Sequence, residues 1–244
     1  MTKKVFFVNM ILLLFFYYQQ YAQIPPNFII FIADDVSWDD FGCYGNNVVK
    51  TPTIDKLAKK GIVFTNAYLT ASSCSPSRNS IMTGRYPHNT GAAELHTEPP
   101  IDMLSMAEVL KYKGYYTVSS GKFHMGKYAE RGFDLIHQDY EMITNGGEGK
   151  WLDAVKNRPK NKPFFMWMAS LDAHRDWGEN KFSGTHKPTD IIPPFYLADN
   201  EGTRTDLAKY YDEIKRFDYH IEQVINELEK QKVLNNTCII IMSD

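Results

Sequence analysis

Three unbroken apolar runs constrain this chain most: Asn27-Phe-Ile-Ile-Phe-Ile-Ala33, Pro163-Phe-Phe-Met-Trp-Met-Ala-Ser170 and Thr237-Cys-Ile-Ile-Ile-Met242. Each is short for a helix and lacks the polar alternation of a half-solvated strand. They read as strands buried on both faces, as in a parallel sheet covered by helices. Helix signals fall between them. Thr51-Pro-Thr-Ile-Asp-Lys-Leu-Ala-Lys-Lys-Gly61 has a cap, a first-turn proline and a terminal glycine. Met103 to Gly114 is amphipathic, and Ser77 to Gly84 enters a helix. From Thr205 to Lys232, Leu207, Tyr211, Ile214, Phe217, Ile221, Val224 and Leu228 recur at steps of three and four and share one face. Ile62 to Tyr68 and Tyr115 to Ser119 are further strand candidates. The alternation defines an α/β chain.

Polar residues follow the apolar runs directly: Asp34-Asp35 after the first, His174 shortly after the second, Asp244 after the third. In open α/β sheets the ligand crevice lies beyond the carboxyl ends of the strands, so these side chains are expected at one edge. Between Asp172 and Asp199 the composition turns to Gly, Pro, Trp and Asn, which predicts a long loop over that edge.

The charge balance of -2 over 244 residues leaves no basic footprint for nucleic acid. At the start, Lys3 and Lys4 precede an apolar run from Val5 to Tyr18, and Ala22 offers a small residue for cleavage. That order reads as a secretory signal over residues 1–23, leaving 24–244 as the folded part. The run is short of the about 20 apolar residues that span a bilayer. An exported protein is expected, in a periplasmic, secreted or lysosome-like compartment. Three cysteines are too few for a disulfide scaffold. Cys43 and Cys238 sit among apolar residues and read as small buried hydrophobes, and the tryptophans as mostly core. Cys74 is different: it lies in the polar stretch Thr70-Ala-Ser-Ser-Cys-Ser-Pro-Ser-Arg78.

Taken alone, a thiol with an arginine four residues on is either a nucleophile of lowered pKa or a polar turn leading into a helix. Cys74-Ser-Pro-Ser-Arg78, with Thr83-Gly-Arg85 downstream, resembles the type I sulfatase pattern. Asp34-Asp35, Gly121-Lys-Phe-His-Met-Gly126, Asp172-Ala-His-Arg175 and Ser243-Asp244 follow in the family's order. The resemblance implies an alkaline-phosphatase-like fold, a mixed, mostly parallel sheet sandwiched by helices. It also implies that a maturation enzyme oxidises Cys74 to formylglycine, whose hydrated aldehyde supplies the attacking oxygen. Asp34, Asp35, Asp244 and the modified Cys74 would ligate Ca²⁺, with Mg²⁺ as the alternative hard cation. Arg78, Lys122 and His124 would serve the nucleophile and the sulfate, and His174 would protonate the leaving group. Family members more often carry Pro where Ala173 stands. They also follow the last aspartate with Asn or His and a C-terminal subdomain, so this chain reads as the N-terminal portion of a catalytic domain.

Glu94-Leu95-His96, Asp172-Ala-His-Arg175 and Pro193-Pro-Phe-Tyr-Leu197 resemble the heparan N-sulfatase branch. That likeness implies a sulfated saccharide substrate, heparan- or heparin-type glucosamine above others, with His96 and Arg175 as substrate contacts. Two rival readings stand beside it. One is a phosphodiesterase or phosphonate hydrolase of the same fold, which ordinarily uses Thr or Ser as nucleophile. The other is an inactive, truncated protein that keeps a sulfated-glycan surface without turnover.

Overall fold

The computed structural model describes residues 24–138 and 146–244, so the expected signal segment lies outside the described residues. In chain order the elements are β1 (Asn27–Ala33), α1 (Pro52–Ala58), α2 (Cys74–Thr83), α3 (Pro87–Thr90), α4 (Met106–Tyr112), β2 (Tyr116–Gly121), α5 (Lys127–Glu130), β3 (Leu135–His137), α6 (Trp151–Asn157), β4 (Phe164–Ala169), α7 (Glu201–Lys230) and β5 (Thr237–Ser243).

The strands form one sheet in the order β3-β2-β4-β1-β5, and every pairing is parallel. The unbroken apolar runs follow from this position. In β1, Ile29 and Phe31 face one side, with Trp151, Ile214, Phe217 and Ile221. Ile30 and Ile32 face the other, with Met82, Phe123, Tyr128 and Trp167. Both faces are dry, so neither admits polar residues. The long helix α7 is about 45 Å at 1.5 Å per residue. It starts where Asn200 Oδ1 accepts from the Thr203 amide at 2.9 Å, four residues before the expected start.

Four readings change. Ile62 to Tyr68 forms no strand; Ile62, Phe64 and Tyr68 are exposed. The segment pairs with neither open edge of the sheet, β3 or β5, so its local β propensity is not matched by a partner strand. Cys238 is exposed rather than buried, because β5 is an edge strand whose alternate residues face outward. Cys43 is half-buried. Trp38 is exposed, whereas Trp151 and Trp167 are core.

Because all pairings are parallel, the carboxyl ends of β1, β2, β4 and β5 meet at one edge, with Ala33 opposite Ser243 and Gly121 opposite Ala169. Gly121 turns the chain there at φ +98, and a Cβ on it would lie 1.8 Å from the Ala169 carbonyl oxygen. Only glycine meets both demands.

Candidate active site

The edge collects the residues singled out by sequence. Carboxylate oxygens of Asp34, Asp35 and Asp244 lie within 4.8 Å of one another. Asp34 follows β1, and its amide donates to the Asp172 carbonyl at 2.6 Å. Asp244 follows β5, and its amide donates to the Ala33 carbonyl at 3.2 Å. Asp35 reaches the same point by a left-handed backbone, φ 57, which swings its side chain out of the strand's alternation. The Val36 amide donating to Ser243 Oγ (3.1 Å) and the Tyr210 hydroxyl donating to the Asp35 carbonyl (3.2 Å) hold that turn. Asp34 is fully buried and Asp35 is exposed.

Two cations oppose these acids. Arg78, fully buried on α2, donates from Nε to Asp244 at 2.5 Å, from Nη2 to Asp34 at 3.3 Å and from Nη1 to the Lys122 carbonyl at 2.8 Å. Lys122 Nζ pairs with the other oxygen of Asp34. Cys74 is the first residue of α2, one turn before Arg78 and on the same helix face. The cluster of ligand-capable side chains contains the three aspartates and not the Cys74 sulfur. Burial pushes the Asp244 carboxyl above its ordinary range, against the opposing pull of Arg78. One Asp244 oxygen, Oδ1, is buried with no hydrogen-bond partner. Three convergent carboxylates, one with an unpartnered buried oxygen, could hold a hard divalent cation, which takes oxygen ligands of this kind.

Beyond Lys122 the chain turns at His124, φ 45, whose Nε2 lies 2.9 Å from Nδ1 of His96. His96 also has a left-handed backbone, φ 65, and its amide donates to Ser75 Oγ on α2 at 2.9 Å. Left-handed backbone at non-glycine residues is costly and clusters at functional sites. Burial, then Lys122 and Arg78, lower the His124 pKa to about 4. Its Nδ1 is buried without a partner.

His174 follows β4 by a short turn, with Nε2 3.8 Å from the Asp35 carboxylate. Arg175 pairs instead with Asp206 and stacks over Trp177 at 4.2 Å. Asp35 and His174 stand in the wall of a cleft of about 740 Å³ that also includes Trp177, Tyr196 and Tyr210. Sequence reasoning quoted Asp172 only as part of its motif, without a role, and missed Tyr210 and Arg216, which position the site without belonging to a motif. The available signal was a charged Arg216 directly before Phe217 of the apolar face of α7.

The sulfatase family profile matches residues 26–244. An ulvan-active sulfatase from Formosa agariphila is 34% identical over 230 residues, 90% of this chain and 44% of that relative. The human N-sulphoglucosamine sulphohydrolase is 29% identical over 257 residues, 90% of this chain and 50% of that relative. The crystal structure of i-CgsB in complex with k-i-k-neocarrahexaose superposes with a TM-score of 0.74 at 25% identity, covering 90% of this chain and 58% of that one. The chain belongs to the sulfatase family. It spans about half the length of the curated relatives it matches.

Proposed function

We propose that the complete protein hydrolyses sulfate esters or sulfamates of sulfated saccharides. The observation that carries this reading is Arg78, one turn from Cys74, bridging Asp34 and Asp244 at the strand edge. A divalent cation, Ca²⁺ first and Mg²⁺ as the alternative, would be held by Asp34, Asp35, Asp244 and the modified Cys74, and would draw charge off the sulfate oxygens. Oxidised by a maturation enzyme to formylglycine, Cys74 would supply a hydrated aldehyde as nucleophile.

The chain's own side chains do the remaining work. Lys122, 13% exposed and paired with Asp34, places an ammonium where a sulfate oxygen needs one. Arg78 orients the carboxylates and adds fixed positive charge. His124, held neutral by burial and its cationic neighbours, accepts a proton from the nucleophile. His174, exposed at the cleft, donates one to the departing oxygen or amine. Export through the basic-apolar leader would bring the enzyme to glycans in a periplasmic, secreted or lysosome-like compartment. No described helix is long and apolar enough to cross a membrane.

For substrate, heparan- or heparin-type glucosamine is the finer reading. Three observations support it. Pro193, Pro194, Tyr196 and Leu197 line the cleft beside His174, His96 flanks His124, and a matched human relative acts on N-sulphoglucosamine by name. Arg175 offers a contact to a further anionic group if it leaves Asp206. A specific observation favours a second reading, O-sulfate esters of other glycans: the relative at 34% identity is an ulvan-active sulfatase.

Peptide mass spectrometry across Ala71 to Arg78 tests the nucleophile: formylglycine is expected in active protein, and an unmodified thiol throughout rejects it. Sulfate release from N-sulfated against O-sulfated glucosamine and ulvan oligosaccharides decides the substrate. N-sulfated glucosamine left intact while an O-sulfated sugar is cleaved removes the heparan N-sulfatase reading.

A further inference from the structure

The turn that carries His174 is held from behind by a buried charged group with no part in the chemistry above. Asp172 is 3% exposed and precedes His174 by two residues. Arg216 of α7 grips its carboxylate in a fork, Nε donating to Oδ2 at 2.6 Å and Nη2 to Oδ1. The Asp172 amide donates to Ser170 Oγ at 2.7 Å, and its carbonyl accepts from the Asp34 amide at 2.6 Å. One residue thus ties α7 to both Asp34 and the His174 turn.

His174 has little packing of its own. Its side chain is 47% exposed, and its ring meets the Arg175 carbonyl at Nδ1 and Asp35 at Nε2. Where the imidazole stands is therefore inherited from the backbone of Leu171 to His174, closed by the His174 amide on the Leu171 carbonyl at 2.8 Å.

Two further carboxyls crowd the fork. Glu213 Oε2 lies 2.7 Å from Arg216 Nη2, and Glu148 accepts from Ser170 Oγ. A Cβ on Gly146 would lie 2.2 Å from Glu148, 2.7 Å from Asp172 and 2.8 Å from Arg216. Three carboxyls share one guanidinium in a packed interior, and ionising all of them is prohibitive. Burial, then the Asp172 charge, hold the Glu148 carboxyl well above its ordinary range and push Glu213 up to about 7. Asp172 is the carboxylate that takes two guanidinium nitrogens, Nε and Nη2.

We propose that Arg216 is a positioning residue for the reaction: by clamping Asp172 it sets where His174 stands against Asp35 and the sulfate site. The inference rests on the reading of His174 as the leaving-group acid.

The test uses Arg216→Lys and Asp172→Asn in the complete, matured protein; the second variant removes the same pair while leaving Arg216 its glutamate neighbours. A displaced acid harms a sugar leaving group, which needs the proton, more than nitrophenolate, which does not. The expected result is a kcat loss of about 10- to 100-fold on glucosamine sulfate, a smaller loss on 4-nitrophenyl sulfate, and KM little moved. Hydrogen exchange should rise over Leu171 to Asp176 and stay unchanged in β1 and β4. Equal losses on both substrates, or unchanged exchange in that turn, overturn the proposal. His174→Ala is the control. If it too shows equal losses, the acid reading of His174 fails and the exchange measurement alone decides on Arg216. If the wild type cleaves neither substrate, the sulfatase reading fails and exchange again decides.

Discussion

Nδ1 of His96 and Nε2 of His124 lie 2.9 Å apart, so the pair shares a proton between two residues that both have left-handed backbones. His96 thereby occupies Nε2 of His124. Nδ1 of His124 is buried and has no partner.

This pair predicts an acid-limb effect. His124 titrates near 4 in the folded protein against an ordinary 6.5. The folded state resists a proton that the unfolded chain takes up between those values. The associated stability is present above pH 6.5 and is lost as pH falls through 4. His124→Gln should therefore lose less melting temperature than wild type on going from pH 6.5 to 4, as read by thermal unfolding. A parallel decline in both proteins would contradict it.

Asp34 and Asp35 should separate in their consequences. Asp34→Asn removes a fully buried anion between Arg78 and Lys122, and is expected to cost about 3–5 kcal/mol as well as metal binding. Asp35→Asn changes an exposed side chain and should weaken Ca²⁺ binding with little loss of stability. Calorimetric titration with Ca²⁺, beside urea unfolding, checks both.

Glu213 gives a stability effect of opposite sign. Burial, then Asp172, raise its pKa from 4.5 to about 7. Its contribution is complete below pH 4.5 and is lost as pH rises through 7. Glu213→Gln keeps an acceptor for Asn180 Nδ2 and cannot ionise. The variant is expected to melt about 2–4 °C above wild type at an alkaline pH and level with it under acid. A difference independent of pH would refute the assignment.

Gly121→Ala places a methyl against the Ala169 backbone at a position with φ +98. Because the obstacle is main chain rather than a side-chain tip, the clash cannot relax locally. A loss above about 4 kcal/mol is expected, seen as insolubility or a collapsed urea midpoint.

Much of the core was legible because burial on two faces writes itself into composition. Ile29 to Ala33, Phe164 to Ala169 and the apolar stripe of α7 admit no polar residue, and such runs survive inspection of one chain. The short β3, Leu135–His137, and the seven-residue α6 carry too few periods for that signal. Ile62 to Tyr68 failed for the opposite reason: its pattern suits a strand, but a strand needs a partner, and this segment pairs with neither β3 nor β5.

The chain's residues alone mark out β1, β2, β4 and β5, the strand-end aspartates, and the spacing of Cys74 to Arg78, since each is a local run of residues. Only the tertiary structure decided that Arg78 spans Asp34 and Asp244, residues 166 positions apart in the case of Asp244. It alone set His96 against His124, and withdrew Arg175 into a pair with Asp206. It also brought Arg216 under the His174 turn, 44 positions from Asp172. Those contacts depend on chain segments meeting across the sheet edge. Hydrogen-bond and ion-pair partners act over a few ångströms in space, and no periodicity along the chain records which distant segment will supply them.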